Sequence, residues 1–277
     1  MIMLIDSHAH LDMAHFDADR DEVIARARAA NVTAILTLGV DGASSQRAVA
    51  LAQQYEGVFA AVGIHPHEAK HATPGVYKTL MGLARERERN RIIAWGEIGL
   101  DYHYNHSPRD VQRREFRRQI RLARELDLPV CIHSREAHDD VLAILDEEKA
   151  VDTGVVMHCF SGDEEVARRS LELGCYLSFA GPVTFTNARI LPAVVPFVPN
   201  NRLLIETDAP YLSPHPWRGR EHRNEPARVA VIAARLAELR GISVEEVGQA
   251  ATQNFHRLFF TRSSLLPPPD RPGHRPE

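Results

Sequence analysis

Lysine is scarce in this sequence of 277 residues, which carries it only at Lys70, Lys78 and Lys149. The positive charge is almost all arginine, and the net charge is −4 at pH 7. Proteins that coat duplex DNA neutralise many phosphates with a broadly basic surface, so this charge balance argues against that class. Any contact with nucleic acid must therefore be local.

Cysteine is also scarce, with Cys131, Cys159 and Cys175 as the three examples. Their number is odd and they lie in apolar runs typical of buried strands, so a disulfide framework is not indicated. We expect reduced thiols, as in a cytoplasmic protein. Because side chains alternate along a strand, Cys159 is predicted to face away from His158 and into the core.

Long apolar runs are missing as well. No stretch approaches the roughly 20 apolar residues of a transmembrane helix. The first residues, MIMLIDSHAH, lack a basic segment and reach Asp6 and His8 before an apolar signal core forms. We therefore predict no signal peptide and no membrane contact, and the sequence shows no sign of an obligate protein partner.

The composition is that of an ordinary globular protein, with 44% hydrophobic and 25% charged residues. Barrels of alternating strands and helices commonly run to about 250 residues as one domain. We predict one such domain over residues 1–264. The remainder, LLPPPDRPGHRPE at 265–277, is rich in proline, which precludes helix and central strand, so we predict a disordered tail.

Eight short apolar runs alternate with segments of helical period. The runs are MLID (3–6), VTAILTLG (32–39), VFAAVGI (58–64), RIIAWGE (91–97), LPVCIH (128–133), GVVMHCF (154–160), CYLSFAG (175–181) and RLLIETD (202–208). This alternation favours a parallel barrel or a long doubly wound sheet. A barrel gathers functional groups at many strand ends, whereas an open sheet concentrates them at one switch point. Polar residues close six of the eight runs, so we predict a single (β/α)8 TIM barrel with a metal site at the C-terminal ends of the strands.

The first strand ends in DSHAH. Asp6, His8 and His10 alternate along it, so all three side chains are predicted to project to one side. Two imidazoles at this spacing can share a divalent ion. A lone His-x-His pair also arises by chance, so the pair needs support from other strand ends.

Further strand ends carry the same residue types. Glu97 ends strand 4, His133 strand 5 and His158 strand 6, and Glu206 and Asp208 end strand 8. Each has an ordinary structural interpretation, as a histidine bonded to a backbone carbonyl or a carboxylate that caps a helix. Coincidence does not explain all of them at one end of the barrel.

These ligands exceed the needs of one ion, because a catalytic zinc uses about three protein ligands. We therefore predict two divalent ions, held about 3.5–4 Å apart by a bridging carboxylate. Glu97 is the candidate bridge, since it lies on a central strand between the two histidine pairs. The three lysines fall in predicted loops or helices, so a carboxylated lysine cannot take that role.

The motifs at the strand ends resemble those of a known family. DSHAHLD, GIHPH, GEIGLDYH, HSR, HCFSG and ETDAPYLSP, in this order and at these strand ends, are similar to the motifs of TatD metal-dependent deoxyribonucleases of the amidohydrolase superfamily. The resemblance extends from about residue 4 to NFHRLF near residue 259. It implies a (β/α)8 barrel that hydrolyses phosphodiester bonds in DNA with two or more divalent ions, often from the 3′ end.

The family pattern places metal ligands on six residues of this chain: His8, His10, Glu97, His133, His158 and Asp208. Glu206 is a candidate ligand for a third ion. Asp208 is also the candidate proton acceptor that orients the attacking water, because a base must lie within hydrogen-bond reach of it. The ions themselves stay open between Mg²⁺, Mn²⁺ and Zn²⁺, since mixed histidine and carboxylate ligands admit each of them.

Four residues near these ligands are candidate substrate contacts. His65 could contact a phosphate or a further ion, and His67 follows it in GIHPH. Arg135 is suited to paired hydrogen bonds with a phosphate. The alternative role for this guanidinium is an ion pair with Glu136. Asp101 lies just beyond the strand 4 motif and could shape the substrate groove.

The segment PHPWRGREHRNEP after strand 8 places an aromatic residue among arginines. Trp217 and Arg218 could stack a base and hold a single-stranded backbone. The alternative is a solvated basic loop, and the spacing here is about two residues longer than in the family pattern.

Three functions remain open from the sequence. The first is a 3′–5′ exodeoxyribonuclease acting through metal-activated water. The second is a hydrolase of a small cyclic amide, lactone or phosphoester on the same barrel, since a fold does not determine a substrate. The third, a non-catalytic binding protein, is disfavoured by the complete set of ligands.

Overall fold

The computed structural model describes residues 3–221 and 223–261. Within them, eight parallel strands form one sheet in chain order, each bonded to the next. The strands are β1 Leu4–Ala9, β2 Val32–Leu38, β3 Val58–Val62, β4 Ile92–Asp101, β5 Val130–Arg135, β6 Val155–Met157, β7 Tyr176–Phe179 and β8 Leu203–Ile205. The predicted (β/α)8 barrel is confirmed, although β6 and β8 are shorter than their apolar runs.

Helices surround the strands. Ten are assigned in the described residues: α1 Arg20–Ala29, α2 Gly42–Gln54, α3 Pro74–Arg85, α4 Arg87–Asn90, α5 Arg109–Glu125, α6 His138–Glu147, α7 Glu164–Glu172, α8 Ile190–Val194, α9 Val229–Arg240 and α10 Val244–Phe259. A capping box opens α10: Ser243 Oγ accepts from the N–H of Glu246, and a carboxylate oxygen of Glu246 accepts from the N–H of Ser243. α10 then continues through NFHRLF.

The barrel closes between β1 and β8. The N–H of His10 donates to the carbonyl of Ala209 at 2.7 Å, and the N–H of Asp208 donates to the carbonyl of His8 at 2.9 Å. Asp6, which is fully buried, accepts from the backbone N–H of Thr207 at 2.9 Å and from its hydroxyl at 2.5 Å. This carboxylate ties the first strand to the residues that follow the last one.

β4 is buried along its whole length and is held from outside by α5. Trp95, fully buried, donates from its indole N–H to the amide oxygen of Gln119 on α5 at 3.2 Å. Gly99 has φ +142°, and a Cβ there would lie 2.0 Å from the carbonyl oxygen of His133. Glycine at this position therefore lets β4 and β5 approach closely, with Glu97 and His133 on adjacent strands.

The predicted boundary at residue 264 and the predicted tail at 265–277 lie outside the described residues. No helix within the described ranges is both long and apolar enough to cross a membrane.

We expect Asp6→Ala to lower the free energy of unfolding by about 2–4 kcal/mol, because it leaves buried donors of Thr207 without their acceptor. Urea unfolding followed by circular dichroism measures the change. Asp139→Ala is the control, since the Asp139 side chain is 85% exposed and pairs with Arg169 at the surface. Equal midpoints for the two variants would contradict a closing role for Asp6.

Candidate metal centre

A pocket of about 700 Å³ lies over the C-terminal ends of the strands. Each of the eight strands, or the segment that follows it, contributes to its lining: His10, Val40, His65, Glu97, His133, His158, Pro182 and Asp208 are one from each. The barrel geometry thus brings together residues as distant in the chain as His10 and Asp208. This is the end of the barrel at which the sequence predicted the site.

Glu97 lies at the centre of the site and is buried. Its Oε2 lies 3.4 Å from Nε2 of His8 and 3.5 Å from Nε2 of His10. Its Oε1 lies 2.9 Å from Nδ1 of His133 and 2.9 Å from Nε2 of His158. The two oxygens of one carboxylate therefore face two separate pairs of imidazoles.

Asp208 adds a second carboxylate on the side of His8 and His10. Its Oδ1 lies 3.5 Å from Nε2 of His10 and 3.8 Å from Nε2 of His8. Asp208 follows the end of β8 and has a left-handed backbone with φ +56°. It lines the pocket, whereas Asp6 does not, because the carboxylate of Asp6 turns to Thr207.

The donor atoms fit divalent metal ions. Nε2 of His8 and Nε2 of His10 are 3.3 Å apart, and both face Oε2 of Glu97, so the lone pairs converge on a common point. Burial lowers the pKa of His10, but the hydrogen bond to Asp208 and the charge of Glu97 outweigh it and raise that pKa to about 9. Such a site attracts a cation, and buried carboxylates are costly without one.

Three groups of donors are close enough to hold an ion among the described residues. They are His8, His10 and Glu97; His65, Glu97 and His133; and His8, His158 and Glu206. Glu97 belongs to two of the three groups.

Outer hydrogen bonds orient the imidazoles. Nε2 of His133 lies 3.0 Å from Oδ2 of Asp101, and Nδ1 of His158 lies 3.3 Å from Oε1 of Glu206. Nδ1 of His10 lies 3.1 Å from the carbonyl oxygen of Leu38. In each ring the bonded nitrogen is the one turned away from Glu97, and an N–H there leaves the inward nitrogen free as a ligand. Glu206 also accepts the backbone N–H of Cys159 at 2.6 Å, so this geometry favours a positioning role for it over a third-ion ligand.

Asp101 is fully buried and forms hydrogen bonds with two histidines of the pocket, His133 and His67. Besides His133, it bonds Nε2 of His67 at 2.9 Å, and it accepts the backbone N–H groups of His103 at 3.0 Å and Tyr104 at 2.8 Å. Its oxygens are therefore occupied by the protein. This arrangement favours positioning of His133 and His67 over the predicted direct contact with substrate.

His65 lines the pocket with Nε2 3.3 Å from Oε1 of Glu97. Its Nδ1 accepts the backbone N–H of His67 at 3.1 Å, so the proton of the neutral ring lies on Nε2. Burial lowers the pKa of His65 to about 4, which keeps the ring neutral. The Nε2 N–H of the neutral ring faces Oε1 of Glu97, so in this tautomer His65 is a hydrogen-bond donor at the pocket wall and its inward nitrogen is not a metal ligand.

Arg135 also lines the pocket. Its guanidinium lies over the ring of Tyr104, 4.6 Å from the centroid, and forms no ion pair with a described residue. Glu136, the alternative partner weighed from the sequence, lies 2.7 Å from Nδ1 of His103 instead. The guanidinium is therefore held in place with its hydrogen-bond donors available to an anion.

Trp217 and Arg218 lie outside the pocket lining. The guanidinium of Arg228 lies over the ring of Trp217 at 4.7 Å, and that of Arg218 lies over the ring of Phe185 at 3.5 Å. Trp217 thus packs against the protein's own arginine. Substrate contact by these two residues stays a prediction that the pocket itself does not support.

Cys159 corrects one expectation from the sequence. It is partly exposed and lines the pocket, whereas strand alternation predicted a core position. The reason is that β6 ends at Met157 and Cys159 has a left-handed backbone with φ +41°, so the alternation no longer applies.

The sequence analysis also missed Tyr104 and Tyr211, which line the pocket. The signal that could have found them is an aromatic residue close to a motif of candidate ligands.

The chain is similar to proteins that are already known. A family model described as TatD related DNase matches residues 5–260. The uncharacterized metal-dependent hydrolase YabD of Bacillus subtilis (strain 168) is 46% identical over 257 residues, covering 93% of this chain and 99% of YabD. The 3'-5' ssDNA/RNA exonuclease TatD of Cronobacter sakazakii is 39% identical over 264 residues, covering 94% and 99%. The solved structure of YJJV, a TatD homolog from Escherichia coli K12, superposes with a TM-score of 0.87 at 32% identity, covering 92% of this chain and 97% of that one.

We expect Asp101→Asn to weaken divalent metal binding by roughly 10- to 100-fold, because His133 loses the acceptor that orients it. Competition with a chromophoric chelator for Mn²⁺ or Zn²⁺ measures the affinity. Asp110→Asn, an exposed position in the first turn of α5, is the matched control. Affinities of Asp101→Asn and the control that do not differ would show that Asp101 does not position a ligand.

Proposed function

Because this chain belongs to the family of TatD-related DNases, metal-dependent hydrolases acting on ester bonds, we propose that it is a 3′–5′ exodeoxyribonuclease cleaving phosphodiester bonds at single-stranded DNA ends. The observation that carries this proposal is the placement of Glu97 between two pairs of imidazoles, with one oxygen toward each. A carboxylate so placed suits a centre of two ions, which is well adapted to phosphodiester hydrolysis.

The residues divide into two sets of ligands. His8, His10, Asp208 and Oε2 of Glu97 would hold one ion, and His133, His158 and Oε1 of Glu97 the other. Bound Mg²⁺, Mn²⁺ or Zn²⁺ would supply Lewis acidity at the phosphoryl group and lower the pKa of the attacking water.

Asp208 is the proposed proton acceptor. Burial raises its pKa, but the hydrogen bond from His10 and the nearby imidazoles outweigh burial and lower that pKa, so the group is a carboxylate at neutral pH. Its side chain is 14% exposed, against 4% for that of Glu97, and it faces the pocket. It can therefore accept a proton from a water molecule that enters with the substrate.

Arg135 and His65 are the proposed phosphate contacts. Arg135 is the last residue of β5 and His65 follows β3, so both lie on the side of the barrel away from Asp208, which follows β8. A guanidinium forms paired hydrogen bonds with phosphate oxygens, and the Nε2 proton of His65 adds a neutral donor. Together they would hold the phosphodiester over Glu97, with Asp208 on the opposite wall of the pocket.

The substrate class rests on the relatives and on the local charge. A relative 39% identical to this chain is named a 3'-5' ssDNA/RNA exonuclease. The net charge of −4 leaves substrate recognition to local groups such as Arg135. RNA is therefore included among the test substrates.

The proposal is tested with 3′- and 5′-labelled oligonucleotides, single- and double-stranded, in Mg²⁺ or Mn²⁺. We expect shortening of single-stranded DNA from the 3′ end. Glu97→Gln should lower the rate by more than the roughly 10- to 100-fold cost of losing an outer partner of a metal ligand, because it removes the shared ligand itself. Metal analysis of the same samples should show fewer bound ions.

Glu68→Gln is the matched control, since Glu68 lies at the pocket rim and pairs with His71 instead of a ligand. Intact DNA beside hydrolysis of a lactone or cyclic amide would reject the nuclease and favour the small-molecule hydrolase. Preference for single-stranded RNA would change the substrate but keep the chemistry.

We expect Arg135→Ala to reduce kcat/KM on single-stranded DNA by roughly 10- to 100-fold, the value of a hydrogen bond to a charged group. Arg135→Lys should recover part of the loss, because an ammonium keeps the charge but not the paired geometry. Arg28→Ala is the control, since Arg28 bonds the carbonyl of Glu56 at the opposite end of the barrel. Equal kcat/KM for Arg135→Ala and wild type would remove Arg135 from the substrate site.

A further inference from the structure

Two exposed tyrosines line the pocket, and their surroundings differ. Tyr104 is 50% exposed and Tyr211 is 46% exposed. Tyr104 carries the guanidinium of Arg135 over its ring and stacks with His106 at an interplanar angle of 4°. Its faces are therefore engaged by the protein.

Tyr211 has different neighbours. Its hydroxyl donates to Sδ of Met13 at 3.4 Å, and its ring meets those of His10 and His15 edge to face at 6.2 and 6.4 Å. Its backbone N–H donates to the carbonyl of Asp208 at 2.9 Å. Within the described residues no ring stacks face to face on it and no guanidinium lies over it.

Tyr211 lies across the pocket from Arg135, the proposed phosphate contact. It follows β8, whereas Arg135 ends β5 and Tyr104 follows β4. In a closed ring of eight strands in chain order, β8 and β1 lie opposite β4 and β5. Tyr211 and Arg135 therefore occupy opposite walls of the pocket, with Glu97 between them.

We propose that Tyr211 is a stacking platform for the nucleobase next to the scissile phosphodiester, an inference that rests on the proposed nuclease function. An exposed aromatic face beside an anion site is the arrangement that binds single strands, and it tolerates any base because each base has a π face. A base inside a duplex has both faces covered by its neighbours, and a paired terminal base is held by its partner, whereas an unpaired terminal base can turn a face onto the ring. Stacking on Tyr211 thus selects an unpaired end without selecting a sequence.

The experiment combines a change in the protein with a change in the substrate. Single-stranded oligodeoxynucleotides carry an abasic residue at the terminal or the penultimate 3′ position, or no abasic residue. With wild type, one of the abasic substrates should show kcat/KM roughly 5- to 150-fold lower, the range for one stacked base. Tyr211→Leu should lower kcat/KM on the normal substrate by a similar factor, mainly through KM, and should no longer respond to the abasic residue.

Three further variants sharpen the result. Tyr211→Phe should restore the dependence on the base, because the ring is kept. Tyr211→Met provides a second non-aromatic side chain should Tyr211→Leu fold poorly. Phe197→Leu, an aromatic residue 63% exposed and outside the pocket lining, is the matched control and should behave as wild type.

The outcomes separate the two proposals. Cleavage of DNA with the same abasic effect in wild type, Tyr211→Leu and Tyr211→Met would overturn the platform and leave the nuclease intact. Cleavage by wild type with no effect of either abasic position would also overturn it. Failure of wild type to cleave any oligonucleotide would reject the nuclease, and the platform with it.

Discussion

Three buried carboxylates and one partly buried carboxylate lie at the base of one pocket, and they determine what the rest of this structure must provide. Asp101 and Glu206 have protein donors for their oxygens, but Glu97 and Asp208 face imidazole nitrogens whose lone pairs converge on the same points. No lysine contributes to the pocket lining. Buried negative charge of this density is costly unless cations balance it. This charge balance agrees with the metal dependence in the names of the relatives.

The barrel holds these carboxylates and imidazoles in fixed positions. β4 is buried from end to end and held by α5, so the carboxylate of Glu97 is presented from a strand that cannot shift without breaking the core. Outer acceptors then orient the ligand rings, with Asp101 on His133 and Glu206 on His158. Sites built on strands with such outer partners are more precise than sites built on loops alone.

Side chains at and beyond the strand ends provide the proposed substrate contacts, which differ from one hydrolase to another. Glu97 and the imidazoles would serve any ester, whereas Arg135 on one wall and the open ring of Tyr211 on the other suit an anion joined to an aromatic group. The proposed substrate thus depends on side chains that the proposed metal centre does not need.

The sequence by itself determined the eight strands, the order of helices and the identity of the ligand candidates, because apolar runs, alternation and capping patterns are local properties of the chain. It also singled out Glu97 as the bridge, from its place on a central strand. Only the tertiary structure decided which oxygen of Glu97 faces which imidazoles, that Asp101 and Glu206 bond to candidate ligand histidines, and that Cys159 and Tyr211 line the pocket. These depend on where strands end and on contacts between residues far apart in the chain, which no local pattern encodes.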